Sequence, residues 1–197
     1  MPSPPNFTIQ PATPLCMEVL DRGLADFGQL AEFVRALPYD RNSDTANPAL
    51  VLREECGTCS SKHRLLAVIA HDCGHLEFQL TVGIYAMSEQ NTPGVGAVLG
   101  SKSFTSIPEA HCYLTIRGDR FDFTGLSAGN SSPFDALLAE HVVSPAELPK
   151  MKLELHMRAL ETWANRVGIS TAVAWATREA CISALKYRAL NSQCASE

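Results

Sequence analysis

An apolar run that follows a Gly-Thr-Cys sequence constrains the fold of this chain most. Six consecutive residues, Leu65 to Ala70, are apolar, and they begin six positions after Cys59. The run is long enough for a helix, and Gly74 is a natural C-terminal stop. Thr58 is a suitable N-cap residue because its hydroxyl can accept from a free N–H of the first turn. The sequence therefore predicts a buried helix that begins at Cys59.

The position of Cys59 at the start of this helix makes it a candidate nucleophile. The first N–H groups of a helix have no partner within the helix, and together with the helix dipole they favour a negative charge. Such surroundings lower the pKa of a thiol, and the thiolate is the reactive form. We therefore expect the rest of the chain to supply a base for Cys59.

Composition and charge limit the classes of protein to which the chain can belong. The 197 residues, 46% of them hydrophobic, predict one folded domain over residues 1–197. The net charge of −5 comes without a long basic run, so we expect no nucleic-acid partner. No apolar stretch reaches the roughly 18 residues of a membrane span, so no membrane partner is expected. Oligomeric state cannot be read from the sequence.

Cysteine usage and the N-terminus predict a cytoplasmic protein. Residues 1–5 have neither the basic region nor the apolar region of a signal peptide. The seven cysteines are an odd number with uneven spacing, which favours free thiols in a reducing compartment over a disulfide framework. Four of them are predicted to be inert core or surface thiols: Cys16, Cys112, Cys181 and Cys194.

Hydrophobic periodicity along the chain predicts an α+β fold, with helices at both ends and a small antiparallel sheet between them. Residues 1–14 are predicted to be an extended arm, and residues 133–197 to be helical. The other predicted elements are a helix over Cys16–Leu37, a polar loop over 38–48, strands over Phe78–Met87, Ala110–Ile116 and Arg120–Thr124, and a long loop over 88–108. The C-terminal part is predicted to hold helices over 133–140, from about 150 to 166, and from Ser170 or Thr171 to about Leu190.

His111 and Asp122 are the candidate partners of Cys59. His111 lies in one predicted strand and Asp122 in the next, so the hairpin between them decides whether they meet. A two-residue turn at Gly118-Asp119 would place the partner of Asp122 four residues from His111, which is roughly 13 Å along a strand. A four-residue loop over 116–119 would pair Asp122 with Tyr113, which leaves an offset of two residues. We therefore expect a hairpin looser than a tight turn, or a bulged one.

Three motifs follow one another in the sequence: Gly-Thr-Cys at a helix start, a His in a strand, and Asp-Phe-Thr-Gly after it. In this order they resemble the motifs of the transglutaminase-like superfamily, whose members are papain-like Cys-His-Asp cysteine enzymes. The resemblance covers about residues 55–125 and is to an uncharacterised, bacterial-type member. It implies a central helix that carries the Cys and packs on the sheet. It also implies Cys59 as nucleophile, His111 as base and Asp122 as the acid that orients the base.

The resemblance implies a cysteine-dependent hydrolase or acyl transferase. Cys59 would attack an amide or ester carbonyl of a peptide or small substrate, and a thioester would be resolved by water or an amine. The Cys59 N–H and one further donor would hold the oxyanion. Tyr39, Asn42 and Asn47 in the polar loop are candidates for that donor or for the substrate pocket. No cofactor is expected.

Three alternatives remain open. The first is a zinc-binding module, since six residues of types that bind zinc lie close together in the sequence: Cys56, Cys59, His63, His71, Cys73 and His75. One ion cannot bind both ends of this stretch, since Cys59 and Cys73 would lie about 20 Å apart along the helix. His71, Cys73 and His75 could form a weak separate site. A non-catalytic binding module is the second alternative. An acyltransferase of the arylamine N-acetyltransferase type uses the same triad order, although its Arg-Gly-Gly-x-Cys pattern is not met here.

Overall fold

The computed structural model describes residues 3–126 and 130–194, with side chains up to residue 185. The fold is α+β, as the sequence predicts, with helices and a four-stranded antiparallel sheet of order β3-β2-β1-β4. The helices are α1 Pro14–Asp21, α2 Phe27–Ala36, α3 Leu50–Arg53, α4 Cys59–Asp72, α5 Gly96–Gly100, α6 Leu148–Val167 and α7 Thr171–Cys194. The strands are β1 Phe78–Met87, β2 Ile107–Ile116, β3 Asp119–Phe121 and β4 Leu137–Val142.

The α4 helix confirms the prediction of a buried helix that begins at Cys59. The Thr58 side chain accepts from the Ser61 N–H, and the Ser61 hydroxyl in turn accepts from the Thr58 N–H, so the two residues form a capping box. The apolar run is fully buried apart from Val68. The helix ends at Asp72, and Gly74 follows with a φ of +87°, the left-handed conformation that stops many helices.

The chain divides into two units. One contains residues 1–82, 111–126 and 141–152, and the other contains 83–110, 127–140 and 153–197. The first unit holds α1 to α4 around buried side chains such as Phe27, Leu30, Leu66 and Ile69. In the second, Trp163, Leu160 and Cys181 from the C-terminal helices pack with Tyr85, Met87 and Ile107. The prediction of one domain over 1–197 stays a prediction.

Two predicted helices are wrong. The helix predicted over 16–37 is two helices, because Gly23 takes a φ of +79° after α1 and Asp26 caps α2 by accepting from the Gln29 N–H. Residues 133–140, predicted as a helix, form one 3-10 turn, Pro133–Ala136, followed by the edge strand β4. Pairing with β1 outweighs the helical propensity of Leu, Ala and Glu in that segment.

The regions predicted as an arm and as a loop contain more structure than expected. In the arm, Ile9 is buried and Thr8 forms a β-bridge with Asp26. The Phe7 ring stacks on Phe27 and His75. Residues 88–108, predicted as a loop, include α5 and the beginning of β2. Met1, Pro2 and residues 127–129 lie outside the described residues.

A buried ion pair belongs to the second unit. Arg178 in α7 donates from Nε and Nη2 to the two carboxylate oxygens of Glu109 at 2.6 and 2.7 Å. The guanidinium also lies over the Trp175 ring. This bidentate geometry balances the cost of removing the Glu109 charge from water.

Within residues 3–126 and 130–194, no helix is both long and apolar enough to cross a membrane.

Candidate active site

The hairpin of β2 and β3 brings Asp122 to His111. Leu114 pairs with Phe121, and Ile116 pairs with Asp119, which leaves Arg117-Gly118 as a two-residue turn. Both turn residues have positive φ, 53° and 90°, the conformation of a type I′ turn. Continuing this register places Asp122 opposite Tyr113, two residues from His111.

The predicted register is therefore present, but the expectation of a loose or bulged hairpin is wrong. Moving the tight turn from Gly118-Asp119 to Arg117-Gly118 shifts the pairing by two residues and gives the same register as the four-residue loop. The His111 Nε2 then lies 2.8 Å from Asp122 Oδ2. β3 ends at Phe121, so Asp122 directly follows the strand instead of lying in it.

The His111 imidazole is held as a cation between Asp122 and Cys59. Burial alone would lower the pKa of His111, but the charge and hydrogen bond of Asp122 and the hydrogen bond to Cys59 outweigh burial and raise it to about 10. Burial would likewise raise the pKa of Asp122, yet the His111 charge and hydrogen bond hold it well below its usual range. Since Nε2 contacts Asp122, Nδ1 is the ring nitrogen left for the thiol.

The surroundings of Cys59 favour its thiolate form. A hydrogen bond from Cys112 makes the largest contribution that lowers the pKa of Cys59, and burial opposes it. The Lys152 charge and the His111 contact lower the pKa further, so that it falls well below the usual value of a thiol. The Cys59 residue is 4% exposed, and the His111 side chain is 14% exposed. These shifts favour the thiolate of Cys59 and the imidazolium of His111 over the neutral forms.

Two residues beside Cys59 were not found from the sequence. The Lys152 Nζ lies 3.3 Å from Cys59 Sγ and donates to the Ser60 hydroxyl at 2.9 Å. Cys112, predicted to be inert, contacts the nucleophile, and its Sγ lies 3.5 Å from Ser60 Oγ. Cys112 is fully buried, and the prediction that it is an inert thiol stays a prediction. Cys16 and Cys181 are buried, and the Cys194 side chain lies outside the described part of the chain.

His63 connects the nucleophile to the segment that carries Asp122. Its Nδ1 lies 2.8 Å from the Cys59 carbonyl oxygen, and its Nε2 accepts from the Phe123 N–H at 2.7 Å. Burial lowers the pKa of His63, in keeping with a neutral ring that donates from Nδ1 and accepts at Nε2. His63 is thus a positioning residue, one turn along α4 from Cys59.

Lys62 makes a second connection to the same segment. Its Nζ is fully buried and donates to the carbonyl oxygens of Leu37 and Thr124 at 2.6 and 2.8 Å. Burial lowers the pKa of Lys62 to about 8. The Thr124 N–H donates to Asp122 Oδ1 at 2.9 Å, so the carboxylate is fixed from its own backbone as well.

Of the three polar-loop candidates, the structure brings Tyr39 to the nucleophile. The Tyr39 hydroxyl donates to Cys59 Sγ at 3.8 Å. The Asn42 amide donates to the carbonyl oxygens of Leu50 and Cys56 and so holds the loop around α3. Asn47 accepts from the Ala49 N–H at 3.1 Å at the start of α3.

The residues of the zinc alternative make other contacts. His63 bonds as described above, and His71 Nε2 lies 2.9 Å from the Phe78 carbonyl oxygen. Asn42 donates to Cys56 Sγ at 3.7 Å. In the described part of the chain, no three His, Cys, Asp or Glu residues are grouped in a way that could hold a metal ion.

Together, Cys59, His111 and Asp122 form an arrangement that can attack a carbonyl and transfer a proton. Neither protein-family models, nor characterised proteins, nor solved structures give a match to this chain. The catalytic hypothesis therefore depends on the geometry and charge of these three residues.

Proposed function

We propose that the chain is a cysteine-dependent hydrolase or acyl transferase of the transglutaminase-like type, acting on an amide or ester bond of a peptide or small substrate. The observation that carries the proposal is the 2.8 Å contact between His111 and Asp122 beside a buried thiol of lowered pKa. A buried thiol with only a structural role has no need of a cation on a strand and a carboxylate to hold that cation.

In the first half-reaction, Cys59 Sγ attacks the carbonyl carbon and an oxyanion forms. The oxyanion then collapses, the bond to the leaving amine or alcohol breaks, and His111 donates its proton to that group. The Cys59 N–H, at the first turn of α4, is one oxyanion donor. The Tyr39 hydroxyl, 3.8 Å from Sγ, is the proposed second donor.

In the second half-reaction, water or an amine attacks the thioester carbonyl and gives a proton to the neutral His111. The carbon–sulfur bond breaks, and the thiolate leaves next to the Lys152 ammonium. Water gives a hydrolase and an amine gives a transferase. Burst release from a thioester donor favours the transferase, whereas steady hydrolysis of an amide favours the hydrolase.

A cytoplasmic location is part of the same proposal. Six cysteines, from Cys16 to Cys181, are free thiols. Free thiols are typical of a reducing compartment. A nucleophilic thiol such as Cys59 also works only when it is reduced.

The test compares Cys59→Ala with Cys56→Ala on nitrophenyl esters, thioesters and peptide amides. Cys56 is a matched control because it lies three residues away and is partly buried. We expect Cys59→Ala to abolish both turnover and the acyl adduct seen by intact-protein mass spectrometry, and Cys56→Ala to keep both. Equal activity of the wild type and Cys59→Ala would refute the proposal.

A further inference from the structure

The acyl chemistry leaves one buried thiol next to the nucleophile without a role. Cys112 lies in β2, and the interaction of its side chain with Cys59 contributes to the lowered pKa of Cys59. The Ser60 hydroxyl contacts both sulfurs, at 3.9 Å from Cys59 Sγ and 3.5 Å from Cys112 Sγ. Both thiols are free. Two cysteines in side-chain contact can be joined when one of them is oxidised.

The charges around the pair give the two thiols different roles. The Lys152 Nζ lies 3.3 Å from Cys59 Sγ and favours the thiolate there. Burial and the hydrogen bond to Cys59 raise the pKa of Cys112 well above its usual value, while the Lys152 charge opposes them. Once oxidation removes the negative charge of Cys59, the Lys152 charge is left to favour the thiolate of Cys112.

We propose that Cys59 and Cys112 are an attacking and a resolving thiol that hydroperoxides convert into an intramolecular disulfide, which reversibly blocks the acyl chemistry. Cys59 Sγ attacks a peroxide oxygen, the O–O bond breaks, and the departing hydroxide takes a proton to become water. The product is a sulfenic acid on Cys59. Cys112 then loses its proton and attacks that sulfur, the S–O bond breaks, and a second water leaves. Two thiols and one hydrogen peroxide thus give one disulfide and two waters.

A second pair of thiols in the same unit provides an internal comparison. Cys73 hydrogen-bonds to Cys16, and burial raises the pKa of Cys73. The charge next to this pair belongs to Asp72, which is negative and raises the pKa further. The two thiols interact in both pairs, but a cation, Lys152, lies next to the Cys59–Cys112 pair. We expect peroxide to react first at Cys59.

Cys56 is the competing resolving thiol because Cys56 and Cys59 form a Cys-x-x-Cys sequence. Burial and the charges of Asp40 and Glu54 raise the pKa of Cys56. The Asn42 amide donates to its sulfur at 3.7 Å. The hydrogen bond that lowers the pKa of Cys59 comes from Cys112, so the structure favours Cys112 as the partner.

The inference depends on the Cys59 thiolate of the proposed function and not on the acyl chemistry. The experiment treats the reduced full-length protein with equimolar hydrogen peroxide at pH 7, blocks the remaining thiols, and maps the tryptic peptides without reduction. Cys59 lies in peptide 54–62 and Cys112 in peptide 103–117. We expect a linked pair of peptides whose mass is two hydrogens below the sum of the separate peptides. Cys59 should no longer be alkylated. Dithiothreitol should restore the alkylation.

Cys112→Ser and Cys73→Ser are matched variants, since each removes one thiol from a hydrogen-bonded pair. We expect Cys73→Ser and Cys56→Ser to form the linked peptide as the wild type does. In Cys112→Ser, dimedone should trap a sulfenic acid on Cys59, which further peroxide converts irreversibly to sulfinic acid. The linked peptide of the wild type remains a sufficient readout if Cys112→Ser does not fold.

Three outcomes would overturn the inference. A Cys56–Cys59 link would assign the resolving role to Cys56. If Cys59 is oxidised to sulfinic acid equally in the wild type and in Cys112→Ser, the disulfide is refuted. If iodoacetamide still alkylates Cys59 at pH 6 in that case, the proposed function is unaffected. Failure of Cys59 to be alkylated at pH 6, with no linked peptide, would refute both.

Discussion

At the scale of single residues, two cations decide the state of Cys59. His111 is the one that the triad requires, and Asp122 holds it protonated. Lys152 is the second, and its Nζ lies 3.3 Å from Cys59 Sγ. In the proposed reaction, both cations would stabilise the thiolate that attacks, and Lys152 would also stabilise the thiolate that is expelled.

Replacing Lys152 with Met should raise the pKa of Cys59, because the positive charge next to the sulfur, which lowers that pKa, is lost. The pH dependence of iodoacetamide alkylation of Cys59 measures this change. Lys150→Met is the control, because Lys150 is exposed on the same helix and should leave the profile unchanged. An identical shift in both variants would mean that general charge, and not the contact, is responsible.

Replacing Asp122 with Asn should lower the pKa of His111 from about 10, since the charge that raises it is removed. His111 is protonated below its pKa, so the imidazolium would be lost at a lower pH than in the wild type. NMR titration of the His111 ring checks this directly. Acyl chemistry should fall by roughly 10²–10⁴-fold. Asp119→Asn, an exposed carboxyl at the hairpin turn, should change neither the His111 titration nor the rate.

At the scale of elements, the site depends on how α4 holds the segment after β3. Lys62 donates a hydrogen bond to the Thr124 carbonyl oxygen, and His63 accepts one from the Phe123 N–H. Asp122 directly precedes these two residues, and Gly125 directly follows them. Gly125 has a φ of +76°, and a Cβ built there would lie 2.1 Å from the Arg35 carbonyl oxygen. Close approach of the α2 backbone therefore requires glycine at this position.

Gly125→Ala should destabilise the protein through both the positive φ and the overlap with Arg35. Gly23→Ala is the matched control, since its φ is +79° and nothing lies within 4 Å of the added Cβ. We expect about 1–2 kcal/mol for the conformation alone, and about 1–3 kcal/mol more for the overlap in Gly125→Ala. Urea unfolding of the two variants measures the difference. Equal losses of stability would show that the close approach to Arg35 has no energetic effect.

Local signals explain which elements the sequence predicted. α4 is bounded by an N-cap threonine and a C-terminal glycine, and β1 is a stretch of β-prone and apolar residues, so both were predicted within a residue or two. The break at Gly23 and the strand β4 were missed, because the first competes with a continuous apolar pattern and the second depends on pairing with β1. The hairpin register was predicted from the need to join His111 and Asp122, although its turn was not.

At the scale of the whole molecule, the candidate site joins residues that are far apart in sequence. Lys152 follows Cys59 by 93 positions, and neither its residue type nor its neighbours mark it as a partner. Cys112 likewise looks like any core cysteine. Contacts of this kind depend on the tertiary fold. The sequence could therefore predict the triad through residue types and order, but not the second cation or the second thiol.

The central claim is that Cys59 is a thiolate at neutral pH, and the alkylation of the wild-type protein measures it most directly. Iodoacetamide is applied across pH, each cysteine is quantified by mass spectrometry, and the urea-unfolded protein gives the reference profile for ordinary thiols of pKa about 8.5. We predict that Cys59 in the folded protein reacts with a midpoint well below that reference, while Cys56 and Cys73 react with midpoints above it. A Cys59 midpoint at or above that of the unfolded chain would contradict the account.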